Sequence, residues 1–232
     1  MKILGKKLLF IIAHPDDESF LASGTLCKNY EAGGESFVVC ATLGEKGTSH
    51  LKEKVSKSQL QKIRKAELIA ASHHLGVTEL HTFAFPDAGL QALKRQLYKE
   101  LLPIAKKIDP HFIISFGKDG ISGHLDHVTI GEVAKNISKK LSKNFLAFSR
   151  PPKLQQNAKH WFKKKRNKGV YLDDSEYDKP HIAIRINPKV KLKAIRFHKS
   201  QLDNNKPFSK IPKLAADEML KAEYYVDHSQ LI

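Results

Sequence analysis

Apolar residues in this chain are grouped in short unbroken runs separated by stretches of helical spacing. Lys7–Ala13 (KLLFIIA) is continuous and too short for a helix, which predicts a strand buried on both faces. Ser19–Ala32 has helical spacing and stops at Gly33-Gly34. Ser36–Leu43 (SFVVCATL) reads as a second buried strand, with a loop at Gly44–Ser49. Ser56–Leu75 predicts a long helix ended by Gly76, and Glu79–Phe85 a strand broken at Pro86. Gly89–Ile108 has helical period with a proline inside. His111–Phe116 (HFIISF) is a further buried strand, followed by a loop at Gly117–Asp126, a helix near His127–Leu141 and a strand at Asn144–Ser149.

Five strands of continuous apolar character, alternating with helices, predict an α/β fold. The expected form is a Rossmann-like three-layer sandwich with a mostly parallel sheet. Beyond it, Arg150–Lys179 is rich in proline and lysine and reads as irregular, His181–Ile186 as a strand and Lys189–Leu202 as a helix. No repeat or linker divides the chain. One domain over 1–232 is expected, with a core of about 1–150 and the remainder packed onto it.

Ligands of such sheets bind beyond the carboxyl ends of the strands, and three strand ends here carry unusual residues. The first strand runs into His14-Pro15-Asp16-Asp17-Glu18, the third into Pro86-Asp87, and the fourth into a loop ending Gly123-His124-Leu125-Asp126-His127. The three acids after the first strand could simply complement the dipole of the next helix. Imidazole and carboxylate together also suit a zinc-like ion, which in catalytic sites takes three protein ligands and leaves a position open. One His and one Asp of the first loop with one His of the second would complete that set. A spare carboxylate could then act as base and a spare histidine as donor to an oxyanion. Spacing does not rank Asp16 against Asp17. The same residue types ligate iron in non-haem oxygenases, but the strand–helix alternation argues against the scaffolds associated with those sites.

Composition adds a field to this picture. The 232 residues are 41% hydrophobic and carry a net charge of +16. Much of the excess lies in Lys135–Lys168, including FKKKR at Phe162–Arg166. Such a balance attracts anions. It suits an anionic small substrate, or nucleic acid or acidic lipid if the scaffold were a retired enzyme; specific nucleic-acid binding is not expected. No apolar run approaches the ~20 residues of a membrane span. Leu8–Ala13 is too short for the core of a signal peptide, so a cytoplasmic location is expected. Cys27 and Cys40 fall in a predicted helix and a predicted strand, as core thiols rather than a disulfide. A homo-oligomer is compatible with the chain, and no pattern specifies one.

AHPDDE (Ala13–Glu18), followed by a His-x-Asp-His loop (His124–His127), resembles the PIG-L/LmbE-like de-N-acetylases. TLGEKG (Thr42–Gly47), Arg64-x-x-Glu67, FPDAGL (Phe85–Leu90) and AIRFHKSQ (Ala194–Gln201) extend the likeness, which thins over Arg150–Lys179; Leu125 stands where proline is common. The resemblance implies metal-dependent removal of an acetyl group from N-acetylglucosaminyl or related amides. It implies that His14, Asp17 and His127 hold the metal, zinc or another divalent ion such as Fe2+, Co2+ or Mn2+. By the same likeness Asp16 is the general base, His124 acts on the oxyanion or leaving amine, and Asp126 orients His124. Arg64, Asp87 and His198 would contact substrate.

Overall fold

The computed structural model describes residues 3–152, 179–209, 211 and 213–229. Most of the Arg150–Lys179 segment, with the FKKKR run, lies outside the described residues. The first strand, β1 (Lys7–Ile12), is buried from Leu8 onward. It lies between β2 (Glu35–Thr42) and β4 (Phe112–Phe116), parallel to both. Next to β2 comes β3 (Glu79–Phe85), and next to β4 comes β5 (Asn144–Ser149), again in parallel. The fully apolar strands are explained by this placement, since helices cover both faces. Helices α2 (Ser23–Glu31) and α3 (Lys57–His74) contact α7 (Pro188–Phe197) on one face, while α4 (Lys94–Ile108) packs with α6 (Leu125–Lys140) on the other.

The complete order is β3-β2-β1-β4-β5-β7-β6, with β6 (Ile182–Arg185) and β7 (Ala222–Asp227) at one edge. The chain leaves β1 toward β2 and returns beyond β1 to β4, so strand order reverses between β1 and β4. That reversal opens a crevice at their carboxyl ends. The loops carrying His14 and His124–His127 meet there.

Several elements differ locally from expectation. The helix expected at Ser19–Ala32 is two, α1 (Asp17–Leu21) and α2, broken at Ala22 with φ −137° and ψ −1°. Asp17 and Glu18 thus occupy a first helical turn. A 3-10 turn at Leu90–Leu93 precedes α4, which contains Pro103. The expected Gly117–Asp126 loop contains a short helix, α5 (Gly120–Gly123), and α6 starts at Leu125, ahead of the expected His127. The helix expected at Lys189–Leu202 ends at Phe197 and gives way to a 3-10 turn at Lys199–Gln201. Both cysteines are free, as expected, but only Cys40 is a core thiol; Cys27 is partly exposed.

Helix α8 (Lys213–Lys221) and strand β7 were not legible in the sequence. Strand β7 runs antiparallel to both its neighbours and carries a buried Glu223. That carboxylate accepts from the Gly24 and Thr25 amides, at 2.9 and 2.7 Å, and lies 3.0 Å from the Lys191 ammonium. Helix α2 is therefore capped by a strand about 200 positions away in sequence.

Helix α6 is seated by its own glycine. A Cβ at Gly131 would lie 2.2 Å from the Phe116 carbonyl oxygen, so only glycine lets α6 approach β4 this closely. Gly131→Ala is expected to overpack this contact by about 1–3 kcal/mol. That lowers the thermal unfolding midpoint by roughly 2–12 °C, read by circular dichroism. An unchanged midpoint would show that α6 shifts freely on the sheet.

Candidate active site

Three hydrogen bonds decide what the histidines can do. His14 Nε2 lies 3.3 Å from Asp126 Oδ2 and 3.2 Å from Asp87 Oδ1. A carboxylate only accepts, so His14 carries a proton on Nε2, and Nδ1 is the nitrogen left for a metal once a second proton there is displaced. His127 Nδ1 donates to the Gly120 carbonyl at 3.0 Å, which leaves the lone pair on Nε2. His14 Nδ1 and His127 Nε2 face each other 3.1 Å apart, and a doubly protonated His14 donates there to His127. The Asp17 carboxylate completes the group, with Oδ1 3.4 Å from His127 Nε2 and Oδ2 3.9 Å from His14 Nδ1.

Donors around a tetrahedral zinc at about 2.0–2.2 Å lie roughly 3.3–3.6 Å from one another. The His14–His127 and His127–Asp17 spacings lie near that value, the His14–Asp17 contact is wider and made through the other carboxylate oxygen, and two imidazoles with a carboxylate form a suitable donor set for a divalent ion. His14, Asp17 and His127 could therefore hold a metal. His124 also brings a ring nitrogen within 4.8 Å of His14 and His127. Its Nδ1, however, accepts from the Asp126 amide at 3.2 Å. A neutral His124 then carries its proton on Nε2, where it is a donor and not a ligand. Burial, followed by the neighbouring His14 and His127, lowers the His124 pKa and favours this neutral form.

Each ring is fixed from behind. His127 stacks on Phe116 with centroids 3.9 Å apart and an interplanar angle of 18°. Asp126 is fully buried and accepts from the Ala88 and Leu90 amides at 2.7 and 3.1 Å. Asp87 accepts from the Lys46 amide at 2.9 Å. Burial would lower the His14 pKa, but the carboxylates of Asp126, Asp87 and Asp17 outweigh it and raise the pKa to about 10. Burial alone would raise both acids' pKa values. His14 reverses this, holding Asp87 near about 2 and Asp126 below its usual range, the latter helped by backbone amides. Asp17 is held far below the ordinary carboxylate range, because His127 and His14 overcome its burial.

Asp16 differs from Asp17 in every respect. Its φ of 119° and ψ of −24° lie in a region that costs a non-glycine residue about 1–3 kcal/mol. It stands at the N-cap of α1 without a side-chain capping bond, so its carboxylate is not spent on the helix start. The side chain is 20% exposed, against 8% for Asp17, so Asp16 is the more accessible of the two. Burial raises its pKa to about 6; Arg64 opposes the rise and the Asp17 charge adds to it.

Arg64, expected at the substrate, is buried and committed to the protein. Its Nη1 donates to Gly44 O at 2.8 Å, and its Nη2 meets Pro15 O at 2.5 Å and Asp16 Oδ2 at 3.2 Å. The guanidinium passes where side chains would otherwise be. A Cβ at Gly44 or Gly47 would stand 2.1 or 2.6 Å from Arg64 Nη1, which explains both glycines of TLGEKG.

The predicted residues thus divide. His14, Asp16, Asp17, His124 and His127 converge on the β1/β4 crevice. Asp126 lies beside them, but its carboxylate holds His14; only its amide meets His124, so the expected orienting of His124 by the Asp126 side chain is not what the structure places there. Asp87 backs His14. His198 is wholly buried and its Nε2 lies 2.7 Å from Glu18 Oε1, away from any exposed position. The supporting roles of Phe116, Gly44 and Gly47 were missed, because each depends on a partner distant in sequence. Leu125 is exposed beside the crevice.

Fold and site together define an α/β protein with a histidine–carboxylate crevice, able to hold a metal ion, at the switch point of its sheet. Residues 9–138 match the family model PIG-L, GlcNAc-PI de-N-acetylase, and the chain belongs to that family. A 1D-myo-inositol 2-acetamido-2-deoxy-alpha-D-glucopyranoside deacetylase of Salinispora arenicola is 29% identical over 56% of this chain and 49% of its own length. The chain thus spans about half the length of the curated relatives it matches. Among solved structures, the N,N'-diacetylchitobiose deacetylase of Pyrococcus horikoshii is similar over 97% of this chain and 85% of its own, with TM-score 0.70 and 25% identity. A 4-carboxy-2-hydroxymuconate hydratase of Pseudomonas putida shares the fold at TM-score 0.67 and 19% identity, covering 95% of each chain.

Asp126→Asn replaces the acceptor that orients His14. It should weaken divalent-metal affinity about 10–100-fold, measured by competition with a chelating indicator. Wild-type affinity should also fall as pH is lowered, because the metal displaces the His14 proton. An unchanged affinity in Asp126→Asn would show that the carboxylate does not support the ligand.

Proposed function

We propose that the chain is a zinc-dependent hydrolase that removes the acetyl group of an N-acetylglucosaminyl compound, releasing acetate and a free amine. The observation that carries this reading is His14 Nδ1 and His127 Nε2 meeting beside Asp17 and a partly exposed Asp16. Family membership and the likeness to the Pyrococcus horikoshii enzyme support it. The shared fold of a hydratase does not discriminate, so the reading rests on the site.

A divalent ion held by His14, Asp17 and His127 would polarise the amide carbonyl and lower the pKa of the attacking water. Asp16 takes a proton from that water as it adds to the carbonyl carbon. A base with a pKa of about 6 is ionised at neutral pH yet basic enough to accept the proton. His124, protonated on Nε2, donates a hydrogen bond to the developing oxyanion. When the C–N bond breaks, the proton held by Asp16 passes to the leaving nitrogen. Arg64 favours the ionised Asp16 carboxylate before the proton transfer and holds it in place.

The net charge of +16 favours a conjugate whose aglycone bears a carboxylate or phosphate. Free thiols at Cys27 and Cys40 are in keeping with a reducing, cytoplasmic setting. Among the described residues no helix is long and apolar enough to cross a membrane.

Acetate release from N-acetylglucosamine conjugates should stop on chelation and return with zinc. Asp16→Asn should keep its metal, measured by elemental analysis, while turnover falls about 10²–10⁴-fold. Activity should decline as pH falls through about 6, because protonated Asp16 cannot act as base. Turnover of an anionic conjugate should slow as salt rises, and that of a neutral one should not. Full turnover by verified metal-free protein would contradict the proposal.

A further inference from the structure

Glu18 is a completely buried acid that the proposed reaction does not use. Its Oε2 accepts from the Asp16 amide at 3.1 Å. Its Oε1 accepts from Ser19 Oγ at 2.6 Å and lies 2.7 Å from His198 Nε2. Because an ionised carboxylate only accepts, His198 donates in that contact. His198 is buried as completely as Glu18 and sits just past α7, 180 residues along the chain. The last link of this chain of contacts is the backbone of the proposed base, at a positive φ that is uncommon for residues other than glycine.

A left-handed aspartate persists only where its surroundings over-determine it. Two grips do so here. Glu18 holds the Asp16 amide, and Arg64 holds its carboxylate at 3.2 Å. The two grips are themselves joined. Glu67, one turn from Arg64 on α3, accepts from the Ser200 amide and from Ser200 Oγ, each at 2.7 Å. Ser200 is two residues beyond His198. The segment His198–Ser200 therefore ties the holder of the amide to the helix that carries the holder of the carboxylate.

We propose that Glu18 and His198 are positioning residues, a buried brace that keeps Asp16 in its left-handed conformation and so aims its carboxylate at the reacting water. The brace rests on the deacetylase reading for its purpose, but its geometry can be measured without it. Glu18→Gln keeps the shape while giving up one of the two acceptor oxygens. His198→Leu removes the donor, and His198→Gln restores a donor of similar reach.

The test compares these variants after zinc loading, with metal content, thermal unfolding and kinetics on one N-acetylglucosamine conjugate, and crystal structures of wild type, Glu18→Gln and His198→Leu. Glu18→Gln and His198→Leu are expected to lower kcat about 10–100-fold, as for a misplaced catalytic group. KM and one zinc per chain should be unchanged, and Asp16 should leave positive φ in the variant crystals. His198→Gln should recover most of the loss. Wild-type kcat per metal-loaded chain with Asp16 still at positive φ would overturn the brace, as would a loss tracking only lower stability or metal content. If wild type releases no acetate, the deacetylase reading fails, and Asp16 φ in the variants alone decides the brace. If Glu18→Gln does not fold, His198→Leu against His198→Gln carries the same comparison.

Discussion

Two imidazole nitrogens 3.1 Å apart need a positive charge between them, either the proton that His14 Nδ1 donates to His127 Nε2 or a metal ion in its place. The rest of the crevice is arranged to keep them so. Asp126 and Asp87 accept the His14 proton on the far nitrogen, and the Gly120 carbonyl accepts that of His127. Asp126 is in turn fixed by two backbone amides of the loop after β3. A carboxylate that holds a histidine tautomer orients the ring and raises its basicity toward a metal. The sheet makes this meeting possible, because the reversal of strand order between β1 and β4 brings residues 113 positions apart into one crevice.

The second constraint is separation of two adjacent acids. Asp16 and Asp17 are neighbours in sequence with opposite surroundings. Asp17 opens a helix, accepts from the Ala13 and His14 amides and is drawn toward the imidazoles. Asp16 is turned away by a positive φ, half-shielded, and balanced between burial and Arg64. Environments that push the pKa values of two carboxyls apart are how one site obtains both a permanent anion and a base. The glycines at 44 and 47 belong to the same device, since they vacate the space through which the guanidinium reaches Asp16.

Much of this was legible in the sequence, for local reasons. Continuous apolar runs such as KLLFIIA can only be buried strands, and their alternation with helices implied the parallel sheet and the edge on which chemistry collects. AHPDDE and the His124–His127 loop then identified the residues that converge. What the sequence hid depends on distant partners. Strand β7 contains a glutamate that is buried only because Lys191 and the start of α2 receive it. Arg64 and His198 looked like residues for a substrate, and spacing could not reveal that Pro15, Gly44 and Glu18 would claim them. The Asp126 carboxylate meets His14 rather than His124, because neighbours in sequence at a helix start share a backbone and need not share a side-chain bond.

The claim on which the account turns is that the ion sits between His14 Nδ1, His127 Nε2 and Asp17. A competing cluster exists on the other side of the same ring, where His14, Asp87 and Asp126 also present ligand atoms within reach of one another. Anomalous diffraction at the zinc edge from crystals of the zinc-loaded protein distinguishes them directly. The account predicts one peak within about 2.0–2.2 Å of donors from His14, Asp17 and His127, with His124 unligated. A peak on the Nε2 side of His14, between Asp87 and Asp126, or one coordinated by His124, would contradict it.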